Sequence, residues 1–244
     1  MIQNGGPIED DLHALVIAEY ERREREIPDR LYAPHNMGYL LMSQARERAS
    51  VRMLEAAGVF PQPGTPCLEV GYGRRGALGA LISWGLRAAD LHGIEMDGRR
   101  ASAAQSALPG ADLRVGDARR MPWPADTFGL VIAWTVFSSI GSVEDRQTVA
   151  AEIERVLRPG GALLYYDFAW NNPRNPNVRA VTRRDLLALF GGLKGSSERV
   201  SLAPPLSRLI APRSWWLATA LDAIPLLRSH LVAVLVKPDA SVRI

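Results

Sequence analysis

The chain has 244 residues, enough for one sizeable α/β core with additions and short for two enzyme domains. Apolar residues make up 47% and charged residues 23%, the balance of a globular protein rather than a disordered chain or a membrane-embedded one. The formal charge of +3, from 29 Lys and Arg against 26 Asp and Glu, argues against a dedicated nucleic-acid surface, and Cys67 is the single cysteine, which excludes an internal disulfide and a Cys-based zinc site.

Met1 to Pro28 lacks the basic start and apolar core of a signal peptide, and no run reaches the roughly 18 uncharged apolar residues of a membrane span, so a cytoplasmic protein without membrane partners is expected. From Asp10 to Glu26, Leu12, Leu15, Val16 and Tyr20 recur at helical spacing and predict an amphipathic helix stopped at Pro28. Leu40, Leu41, Ala45, Val51 and Leu54 predict a second helix from about Met37 to Ala57. Gly58 and the Pro/Gly-rich stretch FPQPGTP end it, so residues 1–60 form a helical cap and linker and residues 61–244 the main domain.

Beyond the linker the pattern alternates. Strands are predicted at PCLEVG, LHGIEM, DLRVGD, FGLVIAW and ALLYYDF, with helices at GALGALISWGL, RRASAAQSAL and EDRQTVAAEIERVL between them. A helix near RRDLLALFG, a strand near RVSLA, a Pro-flanked helical insertion at about 204–229 and a last strand at HLVAVLVKP complete the chain. Continuous apolar strands separated by helices indicate a Rossmann-like, doubly wound, mostly parallel sheet. Ligands of such sheets lie beyond the carboxyl ends of the strands, where strand order reverses.

The loop after the first of these strands, CLEVGYGRRG, holds Gly71, Gly73 and Gly76 in the G-x-G-x-x-G spacing, with Glu95 about 20 residues on, the pattern of a dinucleotide site. Glu69 opposes that reading, since a carboxylate beside the loop would repel a pyrophosphate and suits a ligand with a cationic end. An NAD-dependent oxidoreductase therefore stands as an alternative.

In order and spacing, LEVGYG, GIEMD, VGDARRMPWPADTFGLVIA and LRPGGALLYYDF resemble the motifs of class I S-adenosylmethionine-dependent methyltransferases, over about Thr65 to Phe168. The resemblance implies that fold, with an antiparallel last strand, and S-adenosylmethionine as cofactor. It implies that Glu69, Gly71 and Gly73 lie under the methionine and ribose, that Glu95 takes the ribose hydroxyls and that Met96 flanks the adenine. Asp117 would accept from the adenine amine, Ala118 would offer its amide, and Trp134 would pass near the methyl. Tyr72, the pair Arg74 and Arg75, and Gly129 depart from the family pattern.

The expected reaction is methyl transfer to a small molecule, a hydroxyl of a sugar or natural product, with N- or C-methylation and an inactive binding protein as alternatives. A hydroxyl acceptor needs a proton acceptor. His35, in the loop YAPHNMGY, and Asp167, at the end of YYDF, are the candidate bases, with Asn171 and Asn172 as candidate substrate contacts. No His and carboxylate cluster has metal-ligand spacing. Trp215, Trp216, Leu217, Leu221 and Ile224 in the insertion are expected to pack on the sheet, act as a lid or bury in a homodimer.

Overall fold

The computed structural model describes residues 21, 22, 25, 28–73, 76–171 and 179–239. The predicted helix at 10–26 therefore lies almost wholly outside the described residues, as do Arg74, Arg75 and Asn172.

Helix α1 (Met37–Ala56) begins where the Asn36 side chain accepts from the Tyr39 amide, and it ends before Gly58, whose φ of 68° is in the left-handed region. Leu41, Ala45, Ala49 and Met53, spaced four apart, form its buried stripe. Strand β1 (Cys67–Val70) follows the linker and leads to the short helix α2 (Leu78–Ser83). Then come β2 (Leu91–Glu95), α3 (Gly98–Ala107), β3 (Asp112–Val115), β4 (Phe128–Trp134), α4 (Val143–Val156) and β5 (Leu157–Phe168). The C-terminal part runs α5 (Arg183–Leu189), β6 (Lys194–Leu202), α6 (Pro204–Ile210), α7 (Trp215–Asp222) and β7 (Arg228–Val236).

The seven strands form one sheet in the order β3-β2-β1-β4-β5-β7-β6. Strands β1 to β5 pair in parallel, while β7 runs antiparallel to both β5 and β6. Order reverses between β1 and β4, so their carboxyl ends diverge and open a crevice. The mostly parallel sheet with an antiparallel last strand is as expected. Strand β6 starts earlier than predicted, at Lys194, because KGSSER forms its exposed half at a sheet edge, where an apolar run is not required.

Alternation along the strands divides the core between two faces. Tyr165 joins Phe137 and Phe190 under α4 and α5, while Tyr166 faces Trp134 on the side of α1. The insertion builds a small third core from Leu41, Leu202, Ala211 and Ala218. Of the five residues expected to pack, Trp215 and Leu221 do, while Trp216, Leu217 and Ile224 are exposed. Trp216 is 84% exposed and Leu226 75% exposed.

Two departures from the family pattern have packing causes. The Tyr72 ring fills the space above Gly93, where an added Cβ would lie 2.8 Å from Cε1 of that ring. Gly129 sits against Thr65 and the Arg158 guanidinium, where a Cβ would come within 2.6 Å of the threonine methyl, so the strand has no room for a side chain there.

Candidate functional site

A cavity of about 270 Å3 opens at the carboxyl ends of β1, β2 and β4. Glu69, Gly71, Gly73, Glu95, Met96, Asp117, Ala118 and Trp134, all singled out from sequence, line it together.

The first loop is shaped by its glycines and by Glu69. Gly71 and Gly73 have φ of 66° and 53°, a region that costs side-chain-bearing residues free energy. Glu69 is buried, and its carboxylate accepts from the Ala77 amide at 2.7 Å and the Leu78 amide at 3.0 Å, at the start of α2. Gly76 is the residue the carboxylate passes, since an added Cβ would lie 2.6 Å from both its carbon and Oε1. Burial pushes the Glu69 carboxyl up to about 8, against the pull of the two amides and of the nearby Arg46 charge.

Glu95, at the end of β2, accepts from the Gly73 amide at 2.9 Å and from the Asp97 amide at 3.0 Å, tying the first loop to the second. One bond on each oxygen leaves acceptor capacity for hydroxyl groups. Asp97 caps α3 by accepting from the Arg99 amide. Asp117 accepts from the Arg119 amide and from its guanidinium, and Arg119 reaches on to Asp145 at 2.9 Å, so the loop after β3 is held to α4.

Trp134 ends β4 with its indole Nε1 buried and unpartnered among the described residues. Arg46 of α1 lies over that ring at 3.9 Å from the centroid and also lines the cavity. Sequence reasoning missed Arg46, because it lies outside the motif region on a helix whose pattern reports only its core stripe.

The two candidate bases lie apart from the residues that line the cavity. His35 is exposed in the turn before α1 and does not line the cavity. Asp167 is fully buried on the Tyr165 side of the sheet, where it accepts from the Ser138 amide at 2.9 Å and the Phe168 amide at 2.8 Å. Burial raises its carboxyl to about 6, and its place is to hold the loop after β4, not to face the cavity. Asn171 likewise accepts from the Ala180 amide within its own loop. Among the described residues no group of His, Cys, Asp or Glu could hold a metal ion, and no helix is long and apolar enough to cross a membrane.

These residues fit S-adenosylmethionine and not a dinucleotide. A pyrophosphate on this loop would need the amides at the start of α2, and Glu69 already occupies them. Glu95 keeps acceptor capacity at the end of β2, and Trp134 Nε1 and Arg46 Nε are buried without a partner among the described residues.

The strand order, with β7 antiparallel, defines a class I methyltransferase fold. Residues 68–165 match the family model described as a methyltransferase domain. No curated protein matches the chain. Among solved structures, geranyl diphosphate C-methyltransferase from Streptomyces coelicolor A3(2) is 13% identical with a TM-score of 0.63, covering 96% of this chain and 100% of that one. A methyltransferase from Thermotoga maritima is 17% identical with a TM-score of 0.58, covering 91% and 95%. The [4+2]-cyclase SpnF is 18% identical with a TM-score of 0.57, covering 80% and 82%. Over residues 68–165 the chain is thus similar to the methyltransferase domain, and its fold is that of the class I methyltransferases.

Proposed function

We propose that the cavity binds S-adenosylmethionine with its ribose at Glu95, its adenine between Met96 and Asp117, and its methionyl end between Glu69 and Trp134. The methyl group is passed to a small-molecule acceptor. The observation that carries this reading is Glu69 capping the Ala77 and Leu78 amides, which leaves the glycine loop to a ligand without phosphates. Holding the acceptor atom in line with the methyl carbon contributes about 7–11 kcal/mol of barrier reduction, the main task of such a site.

The acceptor class we favour is a hydroxyl of a sugar or natural product. The recess is a concave cleft lined in part by Trp134, Val136 and Ile140, which suits a small molecule better than a polymer groove. The fold alone does not choose the acceptor, since chains sharing it include a geranyl diphosphate methyltransferase and a cyclase. Neither His35 nor Asp167 is offered as the base.

Calorimetry with S-adenosylhomocysteine tests the cofactor reading, with NAD as the contrast. Micromolar binding of the former and none of the latter is expected, and stabilisation by NAD alone overturns it. A mass-spectrometric screen of candidate acceptors with isotope-labelled methyl donor then identifies the product, and labelled material with no gain of a methyl mass in any hydroxylated acceptor refutes the acceptor class.

A further inference from the structure

The insertion between β6 and β7 carries apolar side chains on both of its sides. Trp215, Ala218 and Leu221 of α7 recur at helical spacing and face the third core. Trp216 and Leu217 stand on the opposite side in solvent, and Ile224 continues their row past the end of the helix. Leu209 of α6 and Leu226, in the 3-10 turn Pro225–Leu227, are exposed on the two elements that contact α7. A helix at the surface of a protein ordinarily turns charged residues outward. Here, among the described residues exposed between 204 and 227, Arg213 alone is charged, and its guanidinium donates to the Leu209 carbonyl. Arg208 is half-buried beside the Tyr32 ring, and the turn Asp29–Leu31 just before that tyrosine adds one charge of each sign. Asp222, the carboxylate of the insertion, accepts from the Leu202 amide and so faces inward, while Arg228 donates to the carbonyls of Asp222 and Arg199. The outer face of the insertion is therefore apolar and cationic, with no exposed carboxylate.

Apolar side chains gathered on an exposed face mark a surface that something covers, and the charges select the cover. A second copy meeting this face two-fold would bring one cationic surface against another, with no carboxylate to separate them. A phospholipid layer with anionic headgroups complements it on both counts: the acyl boundary takes Trp216, Leu217 and Leu226, and the headgroups take Arg208 and Arg213. Tryptophan suits such a boundary because its ring is apolar while its N–H stays among polar groups. We propose that the outer face of the insertion docks the protein onto an anionic lipid surface. Docking of this kind needs no spanning segment, so the lack of a long apolar helix among the described residues does not oppose it. The expectation of no membrane partner came from a search for spans, which does not register apolar side chains spread over two short helices and a turn. The proposal is independent of the cofactor reading.

The test is co-sedimentation of the full chain with vesicles of phosphatidylcholine and with vesicles of an equal mixture of phosphatidylcholine and phosphatidylglycerol. Wild type should partition onto the mixed vesicles and more weakly onto the neutral ones, and added salt should narrow the difference. Replacing both Trp216→Ala and Leu226→Ala should lower partition roughly tenfold or more on either vesicle. Arg213→Gln should lower it roughly fivefold on the mixed vesicles and leave the neutral ones within about twofold. These side chains are exposed, so thermal unfolding of the variants should match wild type and separate lost docking from a lost fold. Equal partition of wild type and the Trp216→Ala, Leu226→Ala variant overturns the proposal, because a different surface would then hold the lipid. Equal partition of wild type onto both vesicle types overturns the anionic selection. A wild-type dimer in analytical ultracentrifugation that the same double variant splits overturns it in favour of a second copy. No partition onto either vesicle by a monomeric wild type overturns it as well, and leaves the face to a different protein.

Discussion

Replacing Gly76 by alanine tests the geometry on which the ligand assignment rests. The added Cβ would lie 2.6 Å from the carboxyl carbon and Oε1 of Glu69, closer than non-bonded atoms approach. The obstacle is a buried carboxylate held by two amides, so it has little freedom to retreat. Moving it aside leaves both amides at the start of α2 without an acceptor, and an unsatisfied buried donor costs about 1–3 kcal/mol, giving a loss of about 2–6 kcal/mol. Urea unfolding reads this directly. A double-mutant cycle with Glu69→Ala assigns the cause, because once the carboxylate is gone the alanine meets open space and its cost should fall below about 1 kcal/mol. Gly76→Ala within about 1 kcal/mol of wild type, or an equal cost in both backgrounds, would refute the argument that Gly76 exists to admit Glu69.

Glu95→Gln places an amide where each oxygen now accepts a backbone N–H, so one of the Gly73 and Asp97 donors loses its partner. Stability should fall by about 1–3 kcal/mol together with affinity for S-adenosylhomocysteine; a fall in affinity alone would mean that Glu95 does not pin the glycine loop. Asp167→Asn should likewise lower stability by about 1–3 kcal/mol through the Ser138 and Phe168 amides while leaving the pH dependence of turnover in place. A shifted pH–rate profile would restore Asp167 as a base. His230, whose protonation burial pushes down to about 3, stays neutral in the fold while the unfolded chain takes up a proton below about 6.5. Stability from this group is thus complete above that pH and is lost as pH falls towards 3, by up to about 1.4 kcal/mol per unit. The raised carboxyls of Glu69 and Asp167 act in the opposite direction, so the difference between wild type and His230→Phe is the quantity to plot. A difference that does not change between pH 7 and 4.5 refutes it.

Most of the sheet could be read from the sequence because β1, β2, β4 and β5 are buried runs whose composition leaves little choice of structure. The lining residues were legible for a related reason. Most sit at or just past the carboxyl end of such a strand, Asp117 and Ala118 follow the half-exposed β3, and the strand order brings those ends together. Asp167 shows the limit of that logic. It too ends a strand, but side chains alternate across a sheet, and a one-residue difference sends Asp167 to the Tyr165 face while Tyr166 turns towards Trp134. Position along a strand is visible in sequence, whereas the face that meets the ligand depends on the helices that cover it. Arg46 was hidden for the complementary reason. Its role depends on α1 crossing the sheet near β4 and β5, a tertiary fact that no local pattern encodes.

Glu69 links these levels. From sequence its charge alone argued against a pyrophosphate, and that argument is weaker than the structural one, since burial raises its carboxyl and weakens any purely Coulombic repulsion at neutral pH. What excludes the pyrophosphate is occupancy. The amides of Ala77 and Leu78, which would otherwise face an anionic ligand from the start of α2, are satisfied from within the protein, and Gly76 lacks a side chain so that this can happen. The third glycine of the motif thus serves the carboxylate rather than the ligand. The same spacing of glycines can therefore belong to a phosphate-binding loop or to its opposite, and the residue two positions before the first glycine decides between them.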